Sequence, residues 1–309
     1  MEKSVFFAPL QGLTDHEFRI TFERFFGGVE AYFTPFIRLE NGALRHRDKR
    51  ELSFLQEEQK TIVQILPKNH EAAVTLVENV YAAGCRRIDI NMGCPFAKVV
   101  QSGRGAGMLP HPEQVADVLS ITEEFPDVMF SLKMRSGFER SDDLWALIPS
   151  INQANLCHVT LHPRTAKEKQ DVKPDKSVFG RFLSECSHPV LFNGNVQSVD
   201  DIQNLQQDFP AISGVMIGRG LLARPDLLHT EWNAAERKKK YVEFYETLYD
   251  AYARRLSGET QILTHMQCFW DYFLPDADRK LRKKLKKTLS LYAFEGYAKR
   301  ILEAYDYGQ

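Results

Sequence analysis

Cys94 lies between Gly93 and Pro95, at the end of the apolar run RIDINMG (87–93). Glycine and proline both interrupt regular structure, so the sulfur is presented on a turn. A thiol with a reference pKa of about 8.5 keeps its proton at neutral pH and can act as a general acid. A neighbouring cation or helix N-terminus would instead lower the pKa and favour a nucleophile. The other side chains able to do chemistry recur at the ends of short apolar runs: Gln64, Asn91, Lys133, His162, Arg164, Asn193, Asn195 and Arg219. Gly194 and Gly218, in the last two of these runs, would let backbone N–H groups approach a phosphate, with Arg219 adding a charged contact. A buried Lys133 needs an anionic or strongly polar partner, such as the electron-rich edge of a flavin or a phosphorylated sugar.

Eight runs must position these residues: 4–10, 31–37, 61–67, 87–93, 128–134, 157–163, 189–195 and 214–220. Each is short, and most are rich in β-branched or aromatic residues, as buried strands are. Helical patterns fill most gaps, at 15–26, 70–83, 112–125, 141–154 and 198–209. Thr14 or Asp15 is the N-cap candidate for the first, and Gly84 the stop for the second. The second gap is the least regular. Eight strands alternating with helices predict an α/β fold, a (β/α)8 TIM barrel with its site at the C-terminal strand ends. A doubly wound sheet is the rival, but the first turn, APLQGLTD, lacks GxGxxG.

From about residue 235 strand-like runs stop and helical patterns continue. The chain is therefore read as a barrel domain at 1–234 followed by a smaller C-terminal helical domain at 235–309. Residues 237–300 carry fifteen Lys+Arg against eight Asp+Glu, although the 309-residue chain has net charge −1. Such asymmetry suits an anionic partner such as nucleic acid, or a solvated helix face. The composition, 43% hydrophobic and 26% charged, is that of a globular protein. No apolar run approaches the roughly 18 residues of a membrane span, and the start shows no signal-peptide pattern, so no membrane association and a cytoplasmic site are expected. The five cysteines contain no CxxC pair and the histidines no HExxH, so no metal site is assigned. Cys85, Cys157 and Cys186 are expected to pack in the barrel, and Cys268 lies in the aromatic stretch CFWDYF.

The stretches APLQGLTDHEFR, DINMGCPFAKVVQSGRGAGML, SLKMRSG, HPRT, LFNGNV and GVMIGRGLLARPDLL span residues 6–228. Through them the chain resembles the tRNA-dihydrouridine synthases, flavin enzymes that reduce uridines in tRNA. The resemblance implies tightly bound FMN, NADPH as reductant and tRNA as substrate, with no protein partner evident. Ala8, Pro9 and Leu10 would line the FMN; Gln64, Lys133 and His162 would bond its ring and ribityl chain. Asn193, Gly194, Asn195, Gly218 and Arg219 would hold its phosphate. Cys94 would protonate the uracil and Asn91 would help place that base. FTPFIRLENG (33–42) and HMQCFWDYF (265–273) are similar to the branch that acts at position 16, which makes Arg38 a substrate-contact candidate. Lys98, Arg164, Lys283, Lys284, Lys286 and Lys287 complete the tRNA-contacting set, with Arg86 and Arg104 as extensions. Pro67 and Pro163 stand where the family often has glycine, and the segment after HPRT (166–182) departs from its pattern. The alternative is a flavin dehydrogenase of a free pyrimidine or other small enone, which would need no basic tail.

Overall fold

The structure, a computed structural model, describes residues 4–169 and 171–308. Among the described residues ten strands form: β1 Ser4–Phe7, β2 Ala31–Phe33, β3 Leu39–Glu40, β4 Ala43–Leu44, β5 Thr61–Ile65, β6 Arg87–Met92, β7 Met129–Gly137, β8 Leu156–Thr165, β9 Val190–Asn193 and β10 Gly214–Ile217. Eight of them close in the order β1-β10-β9-β8-β7-β6-β5-β2, every pair parallel. The eight runs are the eight barrel strands, and closure excludes the doubly wound sheet.

The helices are α1 His16–Phe25, α2 His46–Ser53, α3 His70–Ala82, α4 Ala97–Val100, α5 Pro112–Leu119, α6 Ile121–Glu124, α7 Asp143–Gln153, α8 Lys176–Glu185, α9 Val199–Asp208, α10 Arg219–Ala223, α11 Ala234–Arg255, α12 Glu259–Trp270, α13 Arg279–Lys287 and α14 Leu291–Ala304. Local chemistry sets several ends. Asn69 caps α3 by accepting from the Ala72 N–H at 3.1 Å, and Gly84 follows α3 with φ +88°. The irregular second gap holds the β3–β4 hairpin, α2 and a 3-10 turn at Leu55–Glu57. The divergent segment after HPRT contains α8, capped by Asp175; Gln170 within it lies outside the described residues.

Period-two alternation sorts the barrel side chains. Phe6, Ala8, Ala31, Phe33, Ile62, Leu191 and Met216 form one apolar cluster. The alternate residues, such as Val63, Ile88, Ile90, Leu132, Val159 and Phe192, are buried with helix residues such as Leu76, Val80, Val118 and Phe179. Phe179 meets Phe192 edge-on at 4.9 Å. The β7–β8 register slips between Arg135 and Gly137, where four residues of β8 (His162–Thr165) answer three of β7 (Arg135–Gly137). Pro163 lies in that interval; without an N–H it cannot continue the ladder, and a bulge results. Cys85 and Cys186 are half-buried, but Cys157 and Cys268 are exposed. Cys157 is therefore not packed inside the barrel: it falls on the opposite alternation from His158 and Thr160.

By compactness the chain divides into 4–9 with Val29–Val196 and Asp200–Ile217, and a second unit of Leu10–Gly28, Gln197–Val199 and residues 218–308. The first contains the whole barrel sheet. In the second, α1 packs on α11 through Phe18, Phe22 and Phe26 around Phe244, with Phe26–Phe244 centroids 5.1 Å apart. Arg255 of α11 donates to Asp15 at 2.7 Å and Glu17 at 2.8 Å, and the Tyr252 hydroxyl also reaches Asp15 at 2.7 Å. Three hydrogen bonds among these four side chains thus close the seam that the aromatic rings fill.

Inside the barrel the His158 ring lies 5.3 Å from Phe6 and 6.5 Å from Phe33. Burial, helped by the charge of Arg87, lowers its pKa from 6.5 to about 4. Between these values the unfolded chain binds the proton and the folded chain does not, so stability is lost as pH falls from about 6.5 to 4, by about 3 kcal/mol in full. His158→Leu is expected to remove that part of the acid-side slope. Urea unfolding of both proteins at neutral pH and near pH 4 checks it; an unchanged slope would contradict it.

Candidate active site

The polar residues of the inward alternation meet one another. On β6, Asp89 and Asn91 are two apart; on β7, Ser131, Lys133 and Arg135. Asp89 is fully buried. Its Oδ1 accepts from the Ser131 hydroxyl and its Oδ2 from Gln64 Nε2, both at 2.7 Å. Gln64 Oε1 accepts from Asn91 Nδ2 at 2.7 Å. Asn91 Oδ1 accepts the backbone N–H of Gly93 at 3.0 Å and of Cys94 at 2.9 Å. Lys133 Nζ donates to Asn193 Oδ1 at 3.0 Å, and Asn193 Nδ2 to the Met216 carbonyl at 2.7 Å. Strands β5, β6, β7, β9 and β10 are thereby joined by side chains of one face.

Cys94 is buried with Phe36, Leu66 and Val99. That burial raises its pKa; a backbone hydrogen bond from Phe96 and the positive charges of Lys133 and Arg135 only moderate the rise. The sulfur is therefore a protonated thiol at neutral pH. Lys133 is pushed down and Asp89 up, each by burial, with their mutual attraction opposing both shifts. The turn carrying Cys94 is held from behind: the Ala106 N–H donates to the Cys94 carbonyl at 3.1 Å. Gly105 there has φ +56°, and a Cβ on it would stand 2.8 Å from that carbonyl oxygen.

His162 accepts from Arg164 Nη1 at 3.0 Å, which leaves the ring proton on Nδ1. Arg164 is 1% exposed and also donates to the Val172 carbonyl. It is placed to hold His162 and the segment after β8. Gly194 follows β9 with φ +142°; a Cβ on it would meet Pro174 Cγ at 2.9 Å and His162 Cδ2 at 3.1 Å. No side chain can stand there, and Asn195 beyond it also has positive φ, 49°. Ala8 follows β1, its N–H bonded to the Ile217 carbonyl at 2.8 Å, and Pro9 and Leu10 come next, partly exposed. Gly218 caps α10, and Arg219 is its first residue.

Arg38 pairs with Glu40 at 3.0 Å, and its backbone N–H donates to the buried Asp48 at 3.1 Å. Arg45 grips the same carboxylate at 2.7 and 2.8 Å, which ties α2 to the end of the second run. Burial and the charge of Arg38 lower the pKa of Arg104, and burial with Arg45 and Arg38 lowers that of Arg47. These guanidiniums form one positive cluster. Lys98 on α4 is exposed, as is Phe96, at 61%.

In the second unit, Lys280, Lys283, Lys284 and Lys287 share one exposed face of α13 by their spacing. Arg282 turns inward and donates to the carbonyls of Trp270 at 2.9 Å and Leu274 at 2.6 Å. Lys286 pairs with Asp271. Of the seven cations in the run, Arg282 therefore supports the fold. Beyond the helix Leu289 and Tyr292 are 95% and 88% exposed.

Asp89, Ser131 and Arg135 were not among the residues singled out from the sequence. Their signal was the alternation itself: each lies two residues from a chosen one, Asn91 or Lys133. Asp89 and Ser131 lie deeper in the strands than the C-terminal ends where the other polar residues stand.

A closed parallel barrel with a polar network and a protonated thiol at its strand ends defines a (β/α)8 enzyme. The family model described as dihydrouridine synthase matches residues 6–303, and the chain belongs to that family, whose members are flavin-dependent oxidoreductases. It is 31% identical to the tRNA-dihydrouridine(16) synthase of Pseudomonas putida over 235 residues, 71% of this chain and 70% of that one. It is 25% identical to the tRNA-dihydrouridine synthase B of Pasteurella multocida over 246 residues, 79% of this chain and 73% of that one. Among solved structures, histamine dehydrogenase from Rhizobium sp. 4-9 shares the fold, with TM-score 0.56 and 10% identity, over 79% of this chain and 46% of that one. Among the described residues no helix is long and apolar enough to cross a membrane.

Gly105→Ala places a methyl against the Cys94 carbonyl in a left-handed conformation. It is expected to cost at least about 2 kcal/mol and to loosen the turn. A lower melting temperature together with faster alkylation of Cys94 would show this; a wild-type labelling rate would show that the turn does not depend on Gly105.

Proposed function

We propose that the protein reduces uridine to 5,6-dihydrouridine in tRNA, with FMN bound at the barrel mouth, NADPH as reductant and Cys94 as the proton donor. The buried, protonated thiol of Cys94 carries this reading. The residues present fit the flavin. Gln64, Lys133 and His162 offer an amide, an ammonium and an imidazole N–H, the donor set an electron-rich ring edge requires. Gly194 lets the backbone after β9 pass directly against His162 and Pro174. Asn193, Gly194, Asn195, Gly218 and Arg219 are assigned the phosphate, and Ala8, Pro9 and Leu10 the ring.

Reduced flavin, held by these residues, would supply the hydride that carbon 6 of the uracil needs, with NADPH as the source of its electrons. Cys94 holds the proton that carbon 5 must receive, and burial keeps that proton on sulfur through neutral pH. Asn91, whose Oδ1 already anchors the Cys94 N–H, helps place the base. Arg164 keeps His162 in the tautomer with its proton on Nδ1. The base must leave its stack to reach a buried thiol, so the RNA must be gripped elsewhere. Residues 235–309 are assigned that role, with Lys283, Lys284 and Lys287 contacting phosphates and Lys286 contributing less because Asp271 already partners it. Lys98 and Arg38, with the positive cluster around Arg38, extend the grip. The relative from Pseudomonas putida and the FTPFIRLENG stretch support position 16 as the target.

Anaerobically reduced protein mixed with unmodified tRNA should regain oxidised flavin absorbance quickly, and should not do so with free uridine or orotate. Cys94→Ala should slow this at least about a hundredfold, and mapping the product should place dihydrouridine at position 16. Reoxidation by a free pyrimidine alone would favour the small-molecule dehydrogenase, and a Cys94→Ala protein as fast as wild type would remove the thiol from the chemistry.

Replacing Lys283, Lys284 and Lys287 by Ala should weaken tRNA binding and flatten its dependence on salt by up to about three units of log–log slope. Lys286→Ala alone should change either little. Filter binding across a salt series checks both, and an unchanged slope in the triple variant would move the RNA contact away from α13.

A further inference from the structure

Asp89 takes no part in the chemistry proposed above, yet it is a carboxylate sealed inside the barrel. Both its oxygens are occupied, by Ser131 and Gln64. An ionised carboxylate offers only acceptors, so it decides which end of the Gln64 amide faces it. The donor end turns to Asp89 and the acceptor end to Asn91. Asn91 must then present its own donor to Gln64 and its acceptor to the N–H groups of Gly93 and Cys94. The chain has acceptors fixed at one end and backbone donors fixed at the other. Only one orientation of the two amides satisfies every link, and reversing either one sets donor against donor or acceptor against acceptor.

We propose that Asp89 is a positioning residue: through the amides of Gln64 and Asn91 it holds the Cys94 turn, and so the thiol, in place. The inference rests on the reading of Cys94 as proton donor only for its consequence in catalysis. The relay itself is a statement about the protein. Its strength lies in having no flexible member. Asp89, Gln64 and Asn91 sit on two adjacent strands at paired register, Gln64 opposite Asp89, and all three are buried. The negative charge of Asp89 also acts on Lys133, so the carboxylate serves two neighbours, one by polarity of hydrogen bonding and one by charge.

The two services can be separated. Asp89→Asn keeps an acceptor for Gln64 and loses the charge; Asp89→Leu loses both on the same branched skeleton. The readout is the alkylation rate of Cys94 by iodoacetamide at fixed pH, followed by peptide mapping to separate it from exposed Cys157 and Cys268. Asp89→Leu is expected to change that rate at least about fivefold, and Asp89→Asn to leave it within about twofold. In an Asn91→Ala background Asp89→Leu should add nothing further, because the link it acts through is gone. Wild-type labelling in a folded Asp89→Leu protein, or full additivity with Asn91→Ala, overturns the relay. If the Leu variant does not fold, Asp89→Asn decides: labelling altered beyond about twofold overturns the relay, while unaltered labelling with a shifted flavin absorbance supports it. For dihydrouridine formation Asp89→Leu should lower kcat with little change in the KM for tRNA. Should Cys94→Ala prove fully active, the proton-donor reading falls while the labelling result still judges the relay.

Discussion

Polar side chains inside a closed barrel have no water to fall back on. A buried amide or carboxylate without a partner costs on the order of several kcal/mol, and the amides and the carboxylate at the centre of this barrel answer one another. That requirement shapes the centre of the molecule. Asp89 is answered by Ser131 and Gln64, Gln64 by Asn91, Asn91 by the turn of Cys94, and Lys133 by Asn193. Satisfying the bonds also places the reactive groups. Stability and preorganisation are here the same set of contacts.

The same economy explains the thiol. Cys94 lies among Phe36, Leu66 and Val99 while two cations, Lys133 and Arg135, act on it from β7. Had charge prevailed, the sulfur would be a thiolate suited to attack. Burial prevails, and the sulfur keeps its proton. A single residue type at a single turn can serve either chemistry, and the balance between desolvation and neighbouring charge selects one. The glycines at 105 and 194 make their contribution by what they lack, since a Cβ at either would meet a close neighbour: the Cys94 carbonyl in one case, Pro174 and His162 in the other.

In the helical unit, composition and placement part company. The run at 279–287 looks like a uniform block of charge, yet Arg282 is spent on the carbonyls that end the preceding helical turn, and Lys286 faces Asp271. Four lysines at helical spacing remain to present one face. The aromatic stretch before them supplies the core of that unit, with Phe269, Trp270 and Phe273 buried and Cys268 outside.

The sequence alone determined the barrel, because short β-branched runs alternating with amphipathic helices have one economical closed arrangement, and polar residues at run ends have one place to lie. It also singled out Cys94, Gln64, Asn91, Lys133, His162 and Asn193, whose types are costly to bury without purpose. Only the tertiary structure decided which of them touch. Hydrogen bonds between β5, β6, β7 and β9 depend on register and barrel closure, which no local pattern encodes. It also brought in Asp89 and Ser131, which read as ordinary strand residues until the alternation turned them inward, and it separated Arg282 from the lysines beside it. Arg164, expected at the RNA, is buried and braces His162, two residues before it on the same strand. Spacing along the chain can nominate chemistry; packing across it assigns the partners that set protonation and orientation.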